Sequence, residues 1–194
     1  MSQTRAYQSL GADLRSLRKA RGLTLNALAD SLGKSVGWVS QVERDLSRPS
    51  TDDLADFSRA LQVPPELLTA QSDTVSDETG IIVRHNNRRA VGHRADGLTE
   101  ELLSPDLTDD FEVIHSTFHP HSRLRVPCSR PTHELGFIIS GRLNMEIDGK
   151  SYTLNIGDSF RIKGQSYRWA NPYKEDCVVV WIISPPIYYN GNLS

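Results

Sequence analysis

Several absences narrow what this chain can be. No apolar run approaches the roughly 20 residues needed to cross a bilayer, so no membrane span is expected. The opening Met1-Ser2-Gln3-Thr4-Arg5 has no apolar core of the signal-peptide kind. The only two cysteines, Cys128 and Cys177, cannot build a disulfide framework and lack zinc-ligand spacing, so a reducing cytoplasm is the expected setting. Charge of one sign is also missing: 22 Lys+Arg face 24 Asp+Glu, a net charge of −2. Residues 1–70 carry 9 basic and 8 acidic side chains, a net of +1. Broad, non-specific adhesion to nucleic acid is therefore excluded, and any DNA affinity must come from placed contacts. There is no internal repeat and no low-complexity tract.

What is present falls into two halves, and 194 residues suffice for two small domains. Residues 10–68 carry helical periodicity. Leu10, Leu14 and Leu17 share one face of a first helix, and Leu25, Leu28, Ala29 and Leu32 one face of a second. Gly33 stops that second helix. Ser35 is a good N-cap for a third, whose inward residues would be Val39 and Val42. Ser50 and Asp53 form a capping box for a fourth, with Leu54, Phe57 and Leu61 inward. Pro64 and Pro65 open a last short turn. Two short helices joined by a tight turn, with polar residues displayed along the second, are the build that places a helix in the DNA major groove.

Residues 71–80 are polar and net acidic and read as a linker. From Ile81 the pattern becomes strand-like. Leu143, Met145 and Ile147 alternate with polar neighbours, Asp148-Gly149 is a hairpin turn, and Tyr152 and Leu154 resume the alternation. Gly157-Asp158 marks another turn, and Cys177 to Ile183 is a continuous apolar run suited to a buried strand. Many short strands with regular turns suggest a small β-barrel or jelly roll.

The first half resembles the Cro/C1-type (XRE) helix-turn-helix family. The stretches that carry the likeness are Leu17 to Thr24, Leu28 to Gly33, Val39 to Arg44 and Arg48-Pro49-Ser50. The resemblance implies a five-helix domain over 10–70, with the motif at about 25–44. It also implies that the helix from about Ser35 to Glu43 enters the major groove, with Val36, Gly37 and Gln41 where base edges are read. Gln41 can pair bidentately with adenine, Val36 offers apolar contact only, and Gly37 offers no side chain. Lys34, Ser40, Arg44 and Arg48 are candidates for phosphate, which orients the protein without carrying sequence information. Trp38 is expected to pack against the preceding helix, with stacking on sugar-phosphate as its sharper alternative. Glu43 is expected to pair with Arg18. The family's habit of reading two half-sites implies a homodimer on a two-fold symmetric operator.

Residues 81–194 resemble the cupin superfamily, through Glu134 to Gly141 and then Gly157-Asp158-Ser159-Phe160 through Tyr167 to Pro172. The fold expected for the whole chain is thus α+β: a five-helix domain, then an all-β jelly-roll barrel. Catalytic cupins hold a metal with histidines and a glutamate. Here the matching positions are Cys128, Arg130, Glu134 and Tyr167, and an arginine stays protonated and cannot ligate. No metal, cofactor or catalytic residue is therefore expected. His119 and His121 flank a proline at a strand end, and His133 would face away from Glu134. Arg130 and Glu134 are read either as a dry structural ion pair or as a fork for a small, carboxylate-bearing effector. Tyr167 and Trp169 would share a face and wall an apolar pocket.

The leading functional expectation is a sequence-specific transcriptional regulator, with repression as the expected sign, whose cupin half dimerises and senses a small molecule. A metal-dependent enzyme is the alternative, since an epoxidase family joins a Cro-like domain to an iron-binding cupin. A cupin that only dimerises is the third.

Overall fold

A computed structural model describes residues 9–69, 78, 80–92 and 94–187. The chain divides into two compact units. The helices belong to the first, which runs to Arg89, and residues 90–103 and 110–187 make the second. The expected linker lies almost wholly outside the described residues.

The helical unit consists of α1 (Leu10–Ala20), α2 (Leu25–Leu32), α3 (Val36–Val42), α4 (Thr51–Leu61) and α5 (Pro65–Thr69). The first four begin on hydroxyl caps. Ser9, Thr24, Ser35 and Ser50 accept from the backbone N–H groups of Ala12, Ala27, Trp38 and Asp53. Each satisfies a donor that the first helical turn leaves over, an effect of about 1 kcal/mol. At α4 the box closes in both directions, because the Asp53 carboxylate accepts from the Ser50 backbone at 2.9 Å. Gly33 ends α2 with φ 62°, a left-handed conformation that costs a glycine little and turns the chain straight into α3.

The core is apolar: Leu14, Leu17, Leu28, Ala29, Val39, Val42, Phe57 and Leu61 are all buried. Leu54 differs from expectation, because it is only half-buried. Ser58 takes a buried position on α4 and donates its hydroxyl to the Val63 carbonyl. A serine is tolerated there because the chain end after α4 supplies the acceptor.

The second unit is built from β1 (Arg89–Ala90), β2 (Leu98–Leu102), β3 (Glu112–Phe118), β4 (Ser122–Arg123), β5 (His133–Ser140), β6 (Leu143–Ile147), β7 (Lys150–Leu154), β8 (Ser159–Lys163), β9 (Tyr167–Asn171) and β10 (Cys177–Ser184). They form a six-stranded sheet in the order β1-β2-β3-β10-β5-β8 and a four-stranded sheet in the order β4-β9-β6-β7. The described pairings are antiparallel. Asp148 and Gly149, both at positive φ, make the expected hairpin between β6 and β7.

The two sheets meet through aromatic rings. Phe118 on β3 meets Trp169 on β9 edge-to-face at 4.7 Å, and Tyr167 on β9 approaches Trp181 on β10 at 5.9 Å. Gly136 on β5 has no side chain because a Cβ there would lie 2.1 Å from the Phe160 ring. Alternate residues of β3, β5 and β10 point inward, which puts Glu112, Ser116, Glu134 and Trp181 in the interior beside Ile114, Ile138 and Val179. No described helix is long and apolar enough to cross a membrane.

Candidate functional site

Two places combine exposed or unusual polar chemistry with a fixed frame. The first is α3. Its Val39 and Val42 are buried, while Val36, Gly37 and Gln41 are exposed and Ser40 is half-buried. The helix is held at its C-terminal end by Glu43, which is 7% exposed and takes a two-pronged contact from Arg18 at 2.6 and 2.9 Å. Arg18 also donates to the Leu23 carbonyl at 2.9 Å, and the bond to Glu43 raises the arginine's pKa above its ordinary value. The expected Arg18–Glu43 pair is therefore present, as a clamp between α1 and the end of α3.

The Trp38 ring stacks on Phe57 of α4 at 6.0 Å, a partner the sequence reading did not name. Lys34 lies over the outer face of that ring at 5.0 Å and pairs with Asp53 at 2.6 Å. Contact with Lys34, and then with Ser50, holds the Asp53 carboxyl down to about 2. The Lys34 ammonium is thus already engaged by α4 in the free protein. Arg44 donates to the Ser40 carbonyl at 3.1 Å and so lies back along its own helix, while Arg48 is exposed. Ser35 is committed to its cap.

The second place is the barrel interior. Glu134 is 2% exposed. Its carboxylate accepts from Thr132 at 2.6 Å, from the Trp181 indole at 2.8 Å and, at a longer 3.4 Å, from the Tyr167 hydroxyl. Burial pushes the Tyr167 phenol well above its ordinary pKa, which keeps it a donor. Cys128 bridges to Tyr167 through the backbone, so positions 128, 134 and 167 do come together.

Arg130 joins this group but forms no ion pair with Glu134. Among the described residues its guanidinium makes no hydrogen bond or ion pair, although Tyr167, Cys128, Glu134 and Glu100 all act on its charge. Glu134 instead takes its three donors from Thr132, Trp181 and Tyr167. Trp169 shares the inward face with Tyr167, but its ring is spent on Phe118.

Sequence reading missed the rest of this interior. Glu100 on β2 accepts from Ser116 at 2.9 Å. Arg94 stands 3.5 Å from Glu100 and 3.6 Å from Glu112, within ion-pair but beyond good hydrogen-bond range. Glu112 is fully buried, and its Oε1 accepts only a 3.3 Å bond from the Ile187 backbone. Among the described residues, Oε2 of Glu100 and Oε2 of Glu112 have no hydrogen-bond donor. Burial pushes the Glu112 carboxyl up to about 7, against the pull of Arg94. The available signal was parity, since Glu112 alternates with Ile114 and Glu100 with Leu102 on inward-facing rows.

A cupin-type metal does not fit these residues. The oxygens of Glu134 are committed to protein donors, and Arg130 brings a fixed positive charge to the same spot. Among the described residues no group of three His, Cys, Asp or Glu could hold a metal ion. His119 instead meets Thr99 and Asp176 at 2.9 Å each, His121 is exposed in a left-handed turn, and His133 is exposed on the outer face. Cys177 is buried, and its thiol is pushed up to about 11.

Comparison with known proteins agrees with this division. Residues 9–71 match the family described as helix-turn-helix domain, and residues 115–183 match the one described as cupin domain. An uncharacterised HTH-type transcriptional regulator of Mycobacterium tuberculosis is 39% identical over 118 residues, covering 52% of this chain and 84% of that protein. The HTH-type transcriptional regulator PuuR of Escherichia coli is 20% identical over 182 residues, covering 92% of this chain and 96% of that one. A solved HTH_3 family transcriptional regulator from Vibrio cholerae aligns with a TM-score of 0.42 at 21% identity, over 90% of this chain and 94% of that chain. The chain belongs to the XRE-type helix-turn-helix transcriptional regulators, as a DNA-binding domain followed by a cupin domain.

Proposed function

We propose that this DNA-binding regulator is a dimeric, effector-controlled repressor working in the cytoplasm, with no catalytic activity of its own. Residues 10–70 are the reading domain, 71–80 the linker and 81–194 the cupin. The observation that carries the reading is α3, locked inward by Val39, Val42 and the Arg18–Glu43 clamp, with Val36, Gly37 and Gln41 left outward. Gln41 reads one base, while Ser40, Arg44 and Arg48 touch phosphate, and Lys34 does so only by leaving Asp53. Trp38, held on Phe57, supports the helix from behind. The altered positions Cys128, Arg130 and Tyr167 do not suit the metal-dependent chemistry of the enzyme reading.

Dimerisation is assigned to the outer face of the larger sheet. Leu135, Phe137 and Ile139 on β5 are 44%, 44% and 47% exposed, beside Ile182 on β10 at 36%. Such a continuous apolar face is unusual on an isolated sheet. Its two sides differ in sign: Glu101 lies on β2, next to the edge strand β1, and Arg161 and Lys163 lie on the opposite edge strand β8. A two-fold axis along the strands would lay the basic side of one copy over the acidic side of the other. Phe137→Glu is expected to yield a monomer by sedimentation.

The effector is assigned to the Arg130 end of the barrel, with Tyr167 beside it and Trp169 as packing. A half-buried guanidinium without a carboxylate partner among the described residues suits a carboxylate from outside. The test of the whole reading is selection of an operator from random duplexes, followed by titration of Gln41→Ala. Loss of about 1–3 kcal/mol at one base pair supports it. Equal weakening on all DNA would remove Gln41 from base reading.

A further inference from the structure

The interior of the barrel is short of positive charge. Glu100, Glu112 and Glu134 bring three carboxylates, and Arg94 and Arg130 bring two guanidinium groups. The shortfall is not spread evenly. Among the described residues Glu134 accepts from three donors, whereas Glu100 and Glu112 each keep one oxygen with none. Those oxygens are on side chains 7% and 0% exposed, so bulk water does not explain them. Arg94 serves both carboxylates at 3.5 and 3.6 Å and satisfies neither. An orphaned buried carboxylate oxygen is costly in a folded protein and points to a missing donor.

Arg130 has the complementary defect. It feels Glu100, and Glu112 feels it in turn, yet it comes within ion-pair range of neither. A guanidinium with open donors and two carboxylates with open acceptors thus act on one another's charge inside one barrel. A ligand that joins them must carry a negative group at one end and a donor-rich positive group at the other.

We propose that Glu100 and Glu112, bridged by Arg94, form an ammonium subsite, so that the effector is an amino-carboxylate. Its carboxylate meets Arg130, and its protonated amine donates to Oε2 of Glu100 and Oε2 of Glu112. The amine also brings positive charge to these two carboxylates. This rests on the assignment of Arg130 as the carboxylate anchor.

The test is calorimetric titration of the full-length protein with ω-amino acids from glycine to 6-aminohexanoate, each beside its matched n-alkanoate and n-alkylamine. At least one amino acid is expected to bind ten-fold or more tighter than either matched half. Glu112→Gln, which keeps shape and removes charge, should cancel the advantage over the alkanoate and leave alkanoate binding in place. Glu100→Gln serves as the second variant should the first fold poorly.

Affinity for the amino acid should also rise from pH 6 to pH 8 as Glu112 gives up its proton. Arg94, Glu100 and Arg130 are the charged groups around it. Alkanoates binding as well as amino acids would overturn the ammonium subsite and keep the Arg130 anchor. Alkylamines binding alone, and failing in Glu112→Gln, would keep the subsite and overturn the anchor. Binding of none of the three series would overturn both.

Discussion

The helical unit and the barrel treat polar groups in opposite ways. In the helical unit the interior is hydrocarbon, and the one tight ionic contact at α3, Arg18–Glu43, has both carboxylate oxygens and a third guanidinium nitrogen matched. In the barrel three carboxylates go inside and two of them are left partly unmatched. The first unit holds α3 on an apolar core and the Arg18–Glu43 clamp, which suits a rigid display of that helix. The second keeps unsatisfied chemistry where water does not reach, an arrangement that costs stability unless something else completes it. A regulator needs both kinds of part: one whose shape stays constant, and one whose energy changes when a small molecule arrives.

The contrast can be broken first at the clamp. Glu43→Ala leaves a buried guanidinium without its partner, and thermal melting of the helical unit should show a loss of about 3–5 kcal/mol. Unchanged melting with lost DNA binding would mean that Glu43 acts at the interface and not in the frame. The barrel counterpart is Glu112. Its folded-state pKa of about 7 lies above its ordinary 4.5. Its contribution to stability is therefore fully present below about 4.5 and is lost as pH rises through 7. A tenfold difference in proton affinity between folded and unfolded states is worth about 1.4 kcal/mol, so the loss by pH 8 is on the order of 3 kcal/mol. Denaturant melts from pH 5 to pH 8 should show the barrel weakening, and Glu112→Gln should flatten that slope.

A smaller effect separates satisfied from unsatisfied carboxylates within the barrel. Trp181→Phe removes one donor from Glu134, and chemical denaturation should register about 1–3 kcal/mol. If the variant melts like the parent, Thr132 and Tyr167 suffice for that carboxylate. The smallest sharpening is at a helix start. Ser50→Ala should cost about 1 kcal/mol in the helical unit alone and leave the barrel's transition in place.

Much of the helical unit was legible because its signals are local. The cap at Ser50, the stop at Gly33 and the inward Leu14, Leu17, Val39 and Val42 each follow from residues within one or two turns of each other. The contact of Trp38 with Phe57 was not legible, because Phe57 lies 19 residues further on and periodicity is silent about which helix fills a gap. In the barrel, strand parity put Glu134 and Tyr167 inside and His133 outside. It could not say that Thr132, Trp181 and Tyr167 would donate to Glu134 and that Arg130 would not pair with it, because those groups come from three different segments. Glu100, Glu112 and Arg94 escaped notice for the same reason: a lone acidic residue on a strand reads as solvated surface until a second sheet covers it.

The sequence by itself determined that there are two units, that the first is helical and presents α3, and that the second is a strand sandwich with an altered metal-ligand set. Those properties depend on spacing, capping and residue type, which act over a few residues. Only the tertiary structure decided which carboxylates are satisfied and which are not. That outcome depends on distances of 3 to 4 Å between side chains far apart in the chain, and on the removal of water that makes such distances matter.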